Sequence, residues 1–198
     1  MTQASRKQKE SKPIADHVMT NVREVLVFAS IVIGLFLFLA LLTYHPDDPG
    51  WSHSVSANEF HNSVGAVGAW IADIILYVFG YFGYLFPIMI FVSGWRLFQS
   101  RRKQEPFNQL LLSIRTVGIV FGLIGGCGVA WMHFSAGNAL PYEVRGAGGI
   151  LGDAIGSILL NTTGEIGSTL LMLAMLMIGL TLYTGLSWVV VMDSTGRF

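Results

Sequence analysis

The sequence predicts an all-α integral membrane domain. It has four transmembrane helices, both termini cytoplasmic, and a short Gly-rich helix, interfacial or re-entrant, in the second outer loop. Three observations predict this fold class. The 198 residues are 53% hydrophobic and 12% charged, about half the charge of an ordinary soluble domain. Four long stretches carry no charge at all. The basic residues gather on one side of those stretches, as the positive-inside rule demands of a spanning protein.

Residues 1–24 form a basic cytoplasmic tail, read as flexible, with Arg6, Lys7, Lys9, Lys12 and Arg23. The apolar run that follows is too long for the core of a signal peptide and stays in place as an anchor. That first span, 25–44, has 20 residues, about 30 Å of helix and enough to cross a bilayer. The outer loop 45–67 follows. In it His45 and Asp48 precede prolines, which disfavours helix. Asp48-Pro49-Gly50-Trp51 suits a type II turn, with Pro second and Gly third. Asp47 and Asp48 have no counter-ion nearby and read as a solvated exit turn. The second span, 74–95, has Asp73 at its entrance, where a helix dipole favours a carboxylate, and Pro87 as a kink. The cytoplasmic connector 96–115 carries Arg96, Arg101, Arg102, Lys103 and Arg115. The third span is 116–134 and the outer loop 135–165 follows it. Within that loop, 146–160 is apolar but short and interrupted by Asp153. Its 15 residues give about 22 Å of helix, less than the hydrocarbon core, so it lies at the interface or dips in and returns. The fourth span, 166–192, is long enough to cross with tilt.

Charge sets the expected topology. Eleven of the twelve Lys and Arg residues fall on the side of the tail, the connector and Arg197, against Arg145 alone on the other. Tyr44, Trp51, Trp70 and Trp131 then sit near the outer interface, and Trp95 and Trp188 near the inner one, the depth that amphipathic rings prefer.

Gly118, Gly122 and Gly126 repeat at four-residue spacing in the third span, and Gly148, Gly152 and Gly156 repeat it in the short segment. In lipid this spacing lets helix backbones approach closely, so both rows read as helix-packing faces. None of the four lysines follows a glycine, so there is no phosphate-cradling loop of the Walker type. His45, His53 and His61 recur every eight residues beside acids, a spacing that fits no metal motif. One cysteine, Cys127, excludes an internal disulfide. Arg101-Arg102-Lys103 reads as a topology signal before it reads as a nucleic-acid or lipid site. No nucleophile-base pair, paired acids or cofactor fingerprint appears, so no catalytic, cofactor or metal residue is assigned. A small transporter or channel subunit is the alternative reading. It would need polar groups converging at mid-membrane, and the spans as bounded above lack them.

One string resembles a known family. Residues 44–52, with Pro46, Asp48, Pro49, Trp51 and Ser52, are similar to the N-terminal membrane domain of the bacterial FtsK DNA translocases. So are 61–80, with Trp70 and Asp73, the segment "GGILGDAIGSIL" at 148–159, and "GLTLYTGLSW" at 179–188. The four motifs occur in the family's order. The resemblance implies a membrane anchor that helps assemble the division machinery and couples chromosome segregation to division. Its place is the septum of the bacterial inner membrane. It implies a homo-oligomer, a hexamer, and partners such as FtsZ, FtsQ, FtsL and FtsI beside the lipid bilayer. ATP and Mg belong to the motor of the parent proteins; residues 193–198 read as the start of a linker towards it. Neither a cofactor nor direct DNA contact is expected of the present residues.

Overall fold

The computed structural model describes residues 2–53, 60–103, 109–137, 140–141, 144–185, 192–193 and 196, with backbone alone for 2–20 and 100–103. Trp188 and Arg197, the middle of the loop after the first span, and the side chains of Arg101, Arg102 and Lys103 lie outside the described residues. The order is α1 (Thr2–Leu42), α2 (Gly65–Phe79), a 3-10 turn (Gly80–Tyr84), α3 (Leu85–Lys103), α4 (Gln109–His133) and α5 (Gly149–Thr184). There is no strand among the described residues. Four helical stretches are long and apolar enough to cross a membrane: Asn21–Leu42, Gly65–Gln99, Gln109–His133 and Gly149–Thr184. Phe28, Val32 and Ile166 are 69%, 66% and 79% exposed on them. Apolar surface left outward on that scale suits lipid.

Several boundaries differ from the sequence reading. The tail expected to be flexible is helical from Thr2 and runs unbroken into the first span. Its Lys, Gln, Arg and Glu residues are good helix formers. The second span starts at Gly65, not at 74, because small residues and Trp70 extend the helix upstream of the purely apolar run. Its break lies at Gly80, not at Pro87. Gly80 has φ 58° and ψ −141°, a conformation open to glycine because it has no Cβ. Pro87 falls in the first turn of α3, where its missing N–H costs nothing.

The last helix also breaks. Gly164 (φ 70°, ψ 178°) leaves helical geometry inside α5. The 15 residues before it span about 22 Å and the 20 after it about 30 Å. A left-handed cap at Gly185, whose N–H donates to Thr181 O at 2.8 Å, ends α5 ahead of the expected limit at 192.

The chain divides into two compact units, Met1–Phe38 with Leu85–Phe107, and Leu39–Tyr84 with Asn108–Phe198. In the first, α1 and α3 meet at two glycines. A Cβ on Gly34 would stand 2.9 Å from the Phe91 ring, and one on Gly94 would stand 2.1 Å from Ser30 Oγ. In the second, Ala40, Leu41, Ala72, Leu76 and Leu140 form a small core, flanked by Tyr44, Val64, Ile75, Tyr84 and Ala136.

Candidate functional site

The loop after the first span is organised around two buried carboxylates, Asp48 (2% exposed) and Asp73 (0%). The chain leaves α1 through a turn in which Asp48 N–H donates to His45 O at 3.1 Å. Pro46 takes the second place of that turn, where its fixed φ fits. The expected turn at 48–51 does not form, because Gly50 lacks the positive φ of a type II turn. Gly50 is used for space instead: a Cβ there would stand 2.5 Å from the Asp73 carboxyl carbon.

Asp48 is not a solvated exit residue. Its Oδ1 accepts from His61 N–H at 2.8 Å and lies 3.0 Å from His61 Nδ1. Its Oδ2 accepts from Asn62 N–H at 2.8 Å. Burial by itself pushes the carboxyl up. The backbone and side-chain hydrogen bonds from His61, the Asn62 amide and the His61 charge outweigh it and hold the group below its ordinary value. A buried carboxylate is tolerated when its lone pairs are filled by donors. Asn62, 3% exposed, extends the grip. Its Nδ2 donates to Ala40 O at 2.7 Å and its Oδ1 accepts from Val64 N–H at 3.0 Å. Thr43 Oγ1 accepts from Ser63 N–H at 3.0 Å. The far side of the loop is thus fastened to the last turn of α1.

Asp73 does the same from α2. It sits two turns inside that helix, so the expected dipole benefit at a helix entrance does not apply. Its Oδ1 accepts from Tyr44 Oη at 3.2 Å and Ser52 Oγ at 2.9 Å, and its Oδ2 accepts from Ser52 N–H at 2.7 Å. Tyr84 Oη donates to Leu41 O at 3.0 Å nearby. Trp51 and Trp70 are half-exposed on the surface of this frame, and Trp51 meets Tyr77 edge-on at 5.4 Å.

Ser52, His53 and Asp73 are the residue types of a hydrolytic triad, but their arrangement differs. His53 Nδ1 lies 2.9 Å from Ser52 Oγ and 3.9 Å from Asp73 Oδ1, so both partners crowd one nitrogen. Proton relay needs the serine on one ring nitrogen and the acid on the other. The serine hydroxyl is moreover spent on the carboxylate. The cluster holds the loop and activates no nucleophile. His45 and His61 stack at 4.5 Å, and His53 lies with Asp73. Among the described residues, no group of three His, Cys, Asp or Glu side chains could hold a metal.

The glycine rows fall at two seams. Along α4 and α5, a Cβ on Gly118 would stand 2.6 Å from Tyr183 N, and one on Gly125 would stand 2.5 Å from Leu176 N. Gly179 answers from α5: its Cβ would stand 2.3 Å from Gly122 N. Gly122 itself has ordinary room, 3.9 Å to Gly179 Cα. Gly126 faces the Phe82 ring of the 3-10 turn, away from the helix-helix seam. In the second seam, Gly148 and Gly152 abut the Cys127 carbonyl of α4, and Gly156 lies on the Trp131 ring. Tyr81 N–H donates to Ala147 O at 2.9 Å, so the backbone of the Gly-rich segment satisfies the broken second span. Asp153 is half-buried on the first part of α5. Arg96 lies on α3 and Arg115 on α4.

Sequence reasoning missed Asn62, Gly125, Gly179 and the Gly34 and Gly94 contacts. The first could have been suspected. With no basic residue between Arg23 and Arg96, a buried acid there needs amides and hydroxyls as partners.

The chain matches the family model described as the 4TM region of DNA translocase FtsK/SpoIIIE over residues 20–196. It is 39% identical over 177 residues to the DNA translocase FtsK of Pseudomonas putida, covering 89% of this chain and 21% of that protein. It is 37% identical over 178 residues to the Pseudomonas aeruginosa protein of the same name, covering 90% and 22%. The Shewanella oneidensis protein of that name is 38% identical over 165 residues, covering 83% and 18%. The chain therefore spans about a fifth of the length of the curated relatives it matches. No solved structure matches it.

Proposed function

The chain belongs to the family of the four-transmembrane region of the DNA translocases FtsK/SpoIIIE, and from that membership we propose that it anchors a DNA translocase in the inner membrane at the division septum. It is a multi-pass membrane protein with four apolar helices. The family match across 20–196 is the single observation that carries the reading. The proposed role is mechanical: tethering raises the local concentration of a motor at the closing septum. In this reading, ATP, Mg and DNA are handled by motor segments of the kind the relatives' name implies. Assembly as a hexamer and contact with FtsZ, FtsQ, FtsL and FtsI belong to the same proposal.

The one-sided basic residues support cytoplasmic termini. With that orientation the carboxylate-held loop and the Gly-rich first part of α5 face outwards. The 22 Å length of that part supports an interfacial or re-entrant helix rather than a fifth span. The loop frame, with Trp51 and Trp70 on its surface, supports a contact surface for division partners outside the membrane. Grafting this chain onto the Pseudomonas putida translocase in place of its matched region tests the anchor role. Septal localisation and normal cell length are expected. Diffuse membrane signal and filamentation, with the graft stably inserted, would overturn it.

A further inference from the structure

The first compact unit contains a groove of about 260 Å³ lined by Arg23, Glu24, Val27 and Phe28 of α1 and Leu97 and Phe98 of α3. Its walls are aliphatic and aromatic. Phe28 is 69% exposed and Phe98 39%, and Trp95, 62% exposed, lies with its ring 6.1 Å from that of Phe98. The groove sits where two apolar spans turn basic. Arg23 stands on its rim, Arg96 precedes Leu97, and Arg101, Arg102 and Lys103 follow within the same helix. Glu24 is the one carboxylate among residues 23–24 and 96–103, against five cations. An apolar slot beside a cationic rim at the end of a membrane span complements an amphiphile with an acyl chain and a negative head.

We propose that this groove binds an anionic phospholipid, its chain along Val27, Phe28, Leu97 and Phe98 and its phosphate at Arg23, the cation that lines it. Neighbouring basic side chains attract such headgroups through the surface potential as well as by contact. Arg23, Glu24 and Arg96 have interactions within the protein as well. The preference for an anionic head comes from the five cations against Glu24 that the sequence places in these stretches of α1 and α3. The inference rests on the membrane reading above, and the orientation proposed there decides only that the lipid comes from the cytoplasmic leaflet.

The test is native mass spectrometry of the full chain released from bilayers of equal phosphatidylglycerol and phosphatidylcholine. Preferential retention of phosphatidylglycerol is expected. Replacing Arg101, Arg102 and Lys103 together with Gln should weaken that retention, by about fivefold for each cation that contributes. Leu97→Trp, which fills the slot, should abolish it while helicity by circular dichroism stays unchanged. Val27→Trp fills the same slot from α1 and serves if Leu97→Trp fails to fold. Equal retention of both lipids would overturn the proposal. So would a slot-filled variant that keeps its lipid, or cross-linking through Phe98 that captures a second copy in place of lipid. Loss of septal targeting with lipid retention intact would instead count against the anchor role alone.

Discussion

The α4–α5 seam and the loop frame solve the problem of close packing in opposite ways. The seam removes side chains. Gly118, Gly125 and Gly179 let backbone meet backbone. The frame buries charge. Asp48 and Asp73 draw a loop, the end of α1 and the middle of α2 together through backbone amides and hydroxyls. The difference follows the medium. Apolar side chains gain nothing by meeting each other in lipid, so contact there depends on fit. At the water boundary a carboxylate can be desolvated if donors replace its water. At Gly118, Gly125 and Gly179 the first arrangement tolerates no added atom, and the second tolerates no lost acceptor.

The comparison breaks most sharply at Gly179. A Leu there drives a side chain into the Gly122 backbone, which has no rotamer to escape through. A loss above about 3 kcal/mol is expected, at or beyond the usual cost of overpacking, measured by steric trapping or detergent unfolding. Next come the acceptors. Asp73→Ala orphans Ser52 N–H and Tyr44 Oη, and Asp48→Asn places an amide donor against His61 or Asn62 N–H. Each should cost about 1–3 kcal/mol. Gly164→Ala, in open space but at φ 70°, tests backbone alone and should cost about 1–3 kcal/mol. Gly122→Ala sharpens the contrast from within the seam. Its Cβ would meet ordinary contact distance, so stability should stay within about 0.5 kcal/mol of the parent.

Acid separates the two regions. Asp48 has a lower pKa folded than unfolded. Its contribution is therefore complete above the ordinary value of 3.8 and drains away as pH falls through the folded value beneath it. The protection of the His61 and Asn62 amides against hydrogen exchange should fall only below pH 3.8, while the backbone contacts of the α4–α5 seam at Gly118, Gly125 and Gly179 keep theirs.

The four spans were legible because charge-free runs of that length have few other uses. Their breaks were not. A glycine in an apolar run reads as packing or as a break with equal ease, and at Gly80 the choice is made by Ala147 and Gly149, far along the chain. Asp48 was misread because its partners, His61 and Asn62, lie thirteen and fourteen residues on. Asp73 was misread because the helix starts before the apolar run does. The glycine facing Gly118 and Gly122 from α5, Gly179, has no glycine three or four residues to either side, so spacing gives no sign of it.

The central claim is that two buried carboxylates order the loop after the first span of this membrane protein. Hydrogen exchange in lipid nanodiscs at the amides of Ser52, His61 and Asn62, in the parent and in Asp48→Asn and Asp73→Ala, tests it most directly. Slow exchange in the parent is predicted, with Asp48→Asn releasing one of the His61 and Asn62 amides and Asp73→Ala releasing Ser52. Fast exchange in the parent, or protection that survives both substitutions, would contradict it.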